Sequence, residues 1–173
     1  NSDVLHKMNR GYTREWYLDR IAAIRRIMPD AGISADLTTG FCGETEEQHQ
    51  DTLSLMEEVQ YEFAYMFSYS ERPKTLAERK YEDDIPADVK GRRLTEIVDM
   101  QRKHSEIRTK QGVGKVHRVL VENISKKSAD MMSGRNSQHT VVVFPKGNLK
   151  KGDYVNVMVT SCTSGTLIGE VRD

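Results

Sequence analysis

Residues 33–48, ISADLTTGFCGETEEQ, hold three patterns in succession. Ile33, Ala35 and Leu37 alternate with Ser34, Asp36 and Thr38, the period of a strand with one apolar and one small polar face. Gly40–Glu44 (GFCGE) is a turn flanked by two glycines. Thr45 and Gln48 then fit the capping box that opens a helix. Strand, turn and helix in this order make a βα unit. A turn of this kind needs one glycine at most, so the second implies that something lies close to the backbone.

Working outward, Thr13 is an N-cap for a helix over 14–28, with Tyr17, Ile21, Ile24 and Met28 on one stripe and Pro29 and Gly32 ending it. The helix after Thr45 carries Thr52, Leu55, Met56 and Val59 on one side. FAYMFSYS (63–70) alternates Phe63, Tyr65, Phe67 and Tyr69 with Ala64, Met66, Ser68 and Ser70. A loop with Arg72 and Pro73 and an acidic linker, YEDDIP, lead to a third helix near Pro86. Val89, Leu94, Ile97 and Val98 give that helix its core face. From about Lys110 the pattern changes to short apolar strands, VHRVLVENI, TVVVFP, YVNVMVTSC and TLIGEV, punctuated by KKSADMMSGRNS, PKGNLKKGD and TSG. The expected class is α/β followed by all-β, with parallel βαβ grammar first and a small closed barrel or sandwich after a boundary near 105–113.

Charge divides at the same place. The 173 residues carry 26 Lys+Arg and 26 Asp+Glu, but residues 1–107 hold 15 bases against 21 acids and residues 108–173 hold 11 against 5. A basic module after an acidic one points to nucleic acid, with two solvated surfaces of opposite sign as the plainer alternative. Cys42 and Cys162 offer neither zinc spacing nor a disulfide framework, which favours a reducing, cytoplasmic setting. No apolar run approaches the ~18 residues of a membrane span, so no membrane partner is expected. The chain opens at Asn1 in what reads as a loop before a helix, and is expected to be part of a longer protein.

Ligand sites in α/β folds gather at the C-terminal ends of parallel strands. Asp36 and Thr38 face away from the helices. Gly40 and Gly43 admit a ligand near the backbone, Phe41 is placed to stack on a base, and Glu44 to accept a hydroxyl. A tight, capped turn accounts for the same residues. Past the next strand, YSERPKT (69–75) offers Arg72 for a phosphate or carboxylate, unless it pairs with Glu71 or Glu78. In the basic module Lys115, Arg118, Lys126, Lys127, Arg135, Lys146, Lys150 and Lys151 suit an RNA backbone. Its only aromatics, Phe144 and Tyr154, favour phosphate contact over base stacking. The histidines 6, 49, 104, 117 and 139 lack metal-ligand spacing, and neither a nucleophile elbow nor a phosphate-binding GxxxxGK is present.

MNRGYTREWYLDRIAAIRR, DLTTGFCGETEE and FSYSERPKT, in that order, resemble the radical-SAM methylthiotransferases. The segment KVHRVLVENISKKS…SGRNSQHTVVVFP…GDYVNVMVTSC…LIGEV resembles their TRAM domain. The MNRGYTRE opening and Arg72-Pro73 are similar to the tRNA-modifying, MiaB-type branch. The resemblance implies that 1–107 is the late part of a partial (β/α) radical-SAM barrel and 108–173 a TRAM (OB-like) RNA-binding barrel. It implies a transferase that adds a methylthio group to C2 of N6-isopentenyladenosine beside the tRNA anticodon. S-adenosylmethionine and two [4Fe–4S] clusters would serve it, with sulfur and electron donors undefined. The family's CxxxCxxC is absent, so this segment alone is expected to be inactive.

The same resemblance assigns Asp36, Thr38, Gly40, Phe41, Gly43 and Glu44 to the cofactor side and Tyr69, Ser70 and Arg72 to substrate. It assigns Lys126, Lys127, Ser128, Gly134 and Arg135, beside Arg118, to RNA. Catalytic residues stay unassigned. Two positions depart from the family: Cys42 replaces a proline, where the turn is expected to survive, and Lys74 replaces a glycine, where the loop is expected to change shape. A sister methylthiotransferase acting on threonylcarbamoyl-adenosine or a ribosomal protein, and a non-catalytic RNA-binding protein, are the alternatives.

Overall fold

The structure, a computed structural model, describes residues 1–172. Its helices are α1 (Ser2–Lys7), α2 (Arg14–Ile27), α3 (Glu46–Val59), α4 (Leu76–Lys80) and α5 (Ala87–Lys110). Its strands are β1 (Ser34–Thr39), β2 (Phe63–Ser68), β3 (Val116–Ile124), β4 (Met131–Arg135), β5 (Val141–Pro145), β6 (Tyr154–Cys162) and β7 (Thr166–Arg172). Two compact units result: Asn1–Pro29 with Ser34–Gln101, and Asp30–Ile33 with residues from Arg102 onward. The division falls inside α5, which runs unbroken through the change in composition.

In the first unit β1 and β2 pair in parallel, Ser34 opposite Phe63 through Thr39 opposite Ser68. Paired residues share a face, so Asp36 and Thr38 stand beside Tyr65 and Phe67, while Leu37 and Thr39 are buried on the other side. The capping box forms as expected: Thr45 Oγ1 accepts from the Gln48 amide at 3.2 Å, and Gln48 Oε1 from the Thr45 amide at 3.1 Å. Along α2 the expected stripe fails at its end. Ile21 is buried, but Met28 is 53% exposed, because it is the C-cap and its backbone leaves the helical path. Two short helices replace expected loops. Asn1 caps α1, and Thr75 caps α4 by accepting from the Glu78 amide. On α5 the buried stripe is Arg93, Ile97, Gln101 and His104, three of them polar. Arg93 Nη1 donates to the Glu44 carbonyl oxygen and Gln101 Nε2 to that of Tyr61, both at 2.9 Å.

The second unit closes into a five-stranded barrel in the order β3-β4-β5-β7-β6, with β6 returning to β3. β5 and β7 run parallel and every other pair antiparallel. That is the strand order of an OB-type Greek-key barrel. Val119, Val121, Met132, Val142, Phe144, Val157, Val159 and Leu167 fill it. Each such side chain contributes roughly 1.5–3 kcal/mol on full burial. β4 occupies part of a segment that reads as turn, and its Gly134 explains why. A Cβ on Gly134 would stand 2.0 Å from the Leu120 carbonyl oxygen, and one on Gly169 2.1 Å from that of Met158. These glycines let neighbouring strands close.

Candidate functional sites in the two units

The GFCGE turn keeps both glycines left-handed, Gly40 at φ +73° and Gly43 at +68°. The Glu44 amide closes it by donating to the Phe41 carbonyl at 2.9 Å, and Cys42 sits buried where a proline was expected. The turn is tied to its own protein. Gly40 N–H donates to Glu44 Oε2 at 2.7 Å and Gly43 N–H to Asp84 Oδ1 at 2.7 Å. The Lys90 side chain lies over Gly40, where an added Cβ would meet its Cγ at 2.6 Å. Phe41 is 3% exposed, its ring edge-on to Tyr69 at 4.9 Å and to Tyr81 at 6.0 Å. Phe41 thus packs in a hydrophobic cluster with Val4 and Cys42.

Glu44 is likewise internal. Its carboxylate is engaged by Arg93 Nη1 at 2.9 Å, with side chains 2% and 5% exposed. Arg93 continues to Glu46 at 3.2 Å, Glu46 to Arg92 at 2.6 Å and Arg92 to Glu96 at 2.7 Å. Glu96 meets His49 Nε2 at 2.7 Å, and Thr39 Oγ1 bridges His49 Nδ1 and Glu44. This ring joins the β1 end, α3 and α5. Arg92 is the main cause that holds the Glu46 carboxyl down at about 2. Spacing alone missed the ring, because its members lie on three elements.

Both faces of β1 contribute to one opening in this unit, Ala35 and Leu37 beside the polar residues. Asp36 and Thr38 border a cavity of about 400 Å³ with Glu44, Arg10, Tyr12 and Arg14 among its other walls. Tyr17 and Tyr61 also border it, their hydroxyls 2.9 Å apart, and burial raises both phenols above their ordinary values. Arg10, Tyr12 and Arg14 went unassigned from sequence, because nothing in a helix start marks which side meets a strand. At the β2 end, the Tyr69 amide donates to the Thr39 carbonyl at 2.8 Å, bringing the two strand-end loops together. Burial, with the Cys42 thiol beside it, pushes the Tyr69 hydroxyl up to about 12. Ser70 and Arg72 are exposed, and among the described residues Arg72 makes no ion pair. Lys74 takes φ +69°, so the loop keeps the left-handed residue that a glycine would provide.

In the barrel unit Lys126 and Lys127 are exposed on the β3–β4 loop. Ser128 shapes that loop: its hydroxyl accepts from the Asp130 amide at 3.3 Å. Gly134 is buried, and an added Cβ would meet the Leu120 carbonyl, so its place in the signature is explained by strand packing. Arg135 faces outward but pairs with Glu122 at 2.9 Å. Asn136, unmarked by sequence, organises the next turn. Its Oδ1 accepts from the Gln138 and Thr140 amides at 3.1 and 2.9 Å, and its amide nitrogen lies 3.1 Å from His117 Nδ1. Arg118 lies with its guanidinium 4.6 Å from the ring centroid of Tyr154.

Residues 110–171 match the TRAM domain family. The chain is 60% identical over 172 residues to a tRNA-2-methylthio-N(6)-dimethylallyladenosine synthase of Amoebophilus asiaticus, covering 99% of this chain and 35% of that protein. A synthase of the same name from Flavobacterium johnsoniae is 60% identical over 167 residues, 96% of this chain and 35% of its own length. One from Bacteroides thetaiotaomicron is 54% identical over 170 residues, 98% and 37%. The chain thus spans little more than a third of these relatives. A solved structure of Escherichia coli coproporphyrinogen III oxidase, described as a radical SAM enzyme, aligns with a TM-score of 0.49 at 17% identity, covering 79% of this chain and 38% of that one. The chain thus carries a TRAM domain at residues 110–171 and is similar, along nearly its whole length, to about a third of these synthases.

Proposed function

We propose that the protein to which this segment belongs adds a methylthio group to C2 of N6-isopentenyladenosine next to the anticodon of tRNA. The observation that carries this reading is the continuous likeness, through both units, to proteins named for that product. The same likeness favours it over a sister enzyme acting on threonylcarbamoyl-adenosine or a ribosomal protein.

The donor set here does not suit an iron–sulfur cluster, which is held by several thiolates. Cys42 is buried, Cys162 is half-buried in the other unit, and no cluster of three ligating side chains occurs among the described residues. We assign the cluster ligands to other parts of the longer protein, and this segment alone is inactive. S-adenosylmethionine is a better fit. The cavity has the volume of a small-molecule site, and Asp36 and Thr38 place a carboxylate and a hydroxyl on its wall. Bound with the clusters, that cofactor supplies the radical chemistry that opens an unactivated C–H bond.

The chain's own residues then orient and enclose. Asp36 accepts hydrogen bonds from ligand hydroxyls, with Thr38 beside it on the cavity wall. Arg72, free of carboxylates, holds a substrate phosphate beside Tyr69 and Ser70. Glu44 and Phe41 act one step back, by fixing the turn. The anticodon stem-loop lies on the barrel's cations, Lys126 and Lys127 foremost. The proposed setting, the cytoplasm, follows from the tRNA substrate.

Mass analysis of tRNA nucleosides from a strain lacking the gene tests the reading. Loss of 2-methylthio-isopentenyladenosine, with its unthiolated precursor accumulating, is expected. Persistence of the methylthio product at its normal level overturns the assignment.

A further inference from the structure

Tyr154 and Phe144 are the only aromatic residues after Arg102, and Phe144 is fully buried. Tyr154 is 61% exposed at the start of β6. Arg118 on β3 faces outward beside it: Leu120 pairs with Tyr154 and Arg118 with Asn156, so ring and guanidinium are diagonal neighbours on one face. The guanidinium sits 4.6 Å from the ring centroid. Among the described residues it has no carboxylate partner, whereas Arg135, opposite Leu120, is tied to Glu122. Arg172, opposite Asn156, adds a further cation to the face.

A guanidinium stacked on a phenol ring leaves its N–H donors pointing outward in its plane, and its own flat surface extends the aromatic one. Both side chains stand on paired strands, so little freedom is lost when a third flat group joins them. A planar ligand carrying negative charge satisfies the stack and the surrounding cations together. A nucleotide is that ligand; an apolar protein anchor would leave the guanidinium unpaired.

We propose that Arg118 and Tyr154 form a stacking platform on the outer face of β3 and β6 that takes one unpaired nucleobase of an RNA ligand. The platform rests on the RNA-binding reading of the barrel but assigns a different contact, base stacking in place of phosphate pairing. It also lies on the β3–β6 pair, away from the β4–β5 pair that corresponds to the usual OB-type binding face.

The test compares the protein with its Tyr154→Ala, Tyr154→Trp and Arg118→Lys variants. Each is titrated by fluorescence anisotropy with an RNA hairpin bearing a single-stranded loop and with a blunt RNA duplex, across a range of salt. Tyr154→Ala should raise the hairpin Kd about tenfold, the effect of losing one stacked base. The salt slope should stay unchanged because no charge is lost, and duplex binding should not move. Arg118→Lys keeps the charge but not the plane and should weaken hairpin binding several-fold at the same slope. Tyr154→Trp should bind at least as well as the parent. Replacing Lys126 and Lys127 by alanine gives the contrast, a salt slope shallower by about 1.5 for both RNAs. Parental hairpin affinity in Tyr154→Ala, or an equal loss on duplex, overturns the platform and leaves the RNA reading in place. A parent protein that binds neither RNA overturns both. Melting temperatures of the variants should match the parent, as the replaced side chains lie on the surface.

Discussion

At the β1 end of the first unit, Glu44, Arg93, Glu46, Arg92, Glu96 and His49 bind one another, and both turn glycines donate their amides to side chains of the same unit. In the barrel, Lys126, Lys127 and Arg118 face solvent with no carboxylate partner among the described residues. In a sequence the two groups look alike, as charged residues with no visible partner. The difference lies in what surrounds them. A helix stacked behind a strand end can supply a counter-charge from far along the chain, as α5 does with Arg93. The outer surface of a small barrel has no layer behind it, so its cations stay available to a ligand. Apparent site residues in a layered α/β unit therefore have to be checked for internal partners first.

Removing Arg93 breaks this contrast most severely. Arg93→Ala strands the Glu44 carboxylate at 2% exposure, and losing one partner of a buried pair costs about 3–5 kcal/mol. Urea unfolding of the variant should show that loss, while Glu44→Met combined with Arg93→Leu should recover most of it, since two apolar groups need no counter-charge. If Arg93→Ala unfolds at the parental midpoint, the ring is decoration and Glu44 is available to a ligand.

Gly134→Ala applies the same test to the barrel, where packing and not charge is at stake. The added methyl meets the Leu120 carbonyl at 2.0 Å, backbone that cannot swing aside, and overpacking of this kind costs about 3 kcal/mol. The measured loss should appear in barrel stability. Unchanged stability with weakened RNA binding would return Gly134 to the RNA surface.

Much of this architecture is legible in the residues. β1 and β2 alternate, β5, β6 and β7 stand out as short apolar stretches, the Thr45 capping box fixes the start of α3, and the change to β structure after Lys110 coincides with the change in charge. β4 is not legible. Met131–Arg135 contains no β-branched or aromatic residue, and Gly134 and Ser133 read as turn formers. Its strand state comes from ladders on both sides, to β3 and β5. Arg93 and Gln101 are not legible as core for a related reason: their burial depends on Glu44 and the Tyr61 carbonyl, each about forty or more positions away. The candidate site residues were found as a neighbourhood, while their division into ligand-facing and internal depended on those distant partners.

A smaller effect concerns Lys74, whose φ of +69° a side chain tolerates poorly. Lys74→Gly should stabilise the YSERPKT loop by about 1 kcal/mol, the cost of a left-handed residue that carries a Cβ. Part of that gain is offset by the glycine's greater freedom when unfolded. A higher melting temperature with unchanged RNA affinity is expected. A lower one would mean that the lysine side chain itself anchors the loop.

The smallest expected effect is a pH dependence at Glu46. Its carboxyl is held down from an ordinary 4.5 to about 2, chiefly by Arg92. A group depressed in the folded state contributes stability that is fully present above its unfolded pKa and is lost as pH falls through the folded one. The contribution should therefore fade between about pH 4.5 and pH 2. Because the Glu46 side chain is 46% exposed, the effect should be modest and shrink further in high salt. Urea midpoints followed over that range should fall less steeply for Glu46→Gln than for the parent. If Glu46→Gln follows the parental slope, the exposed edge of the charge ring has no influence on stability, and the contrast between the two units rests on its buried Glu44–Arg93 pair and on packing alone.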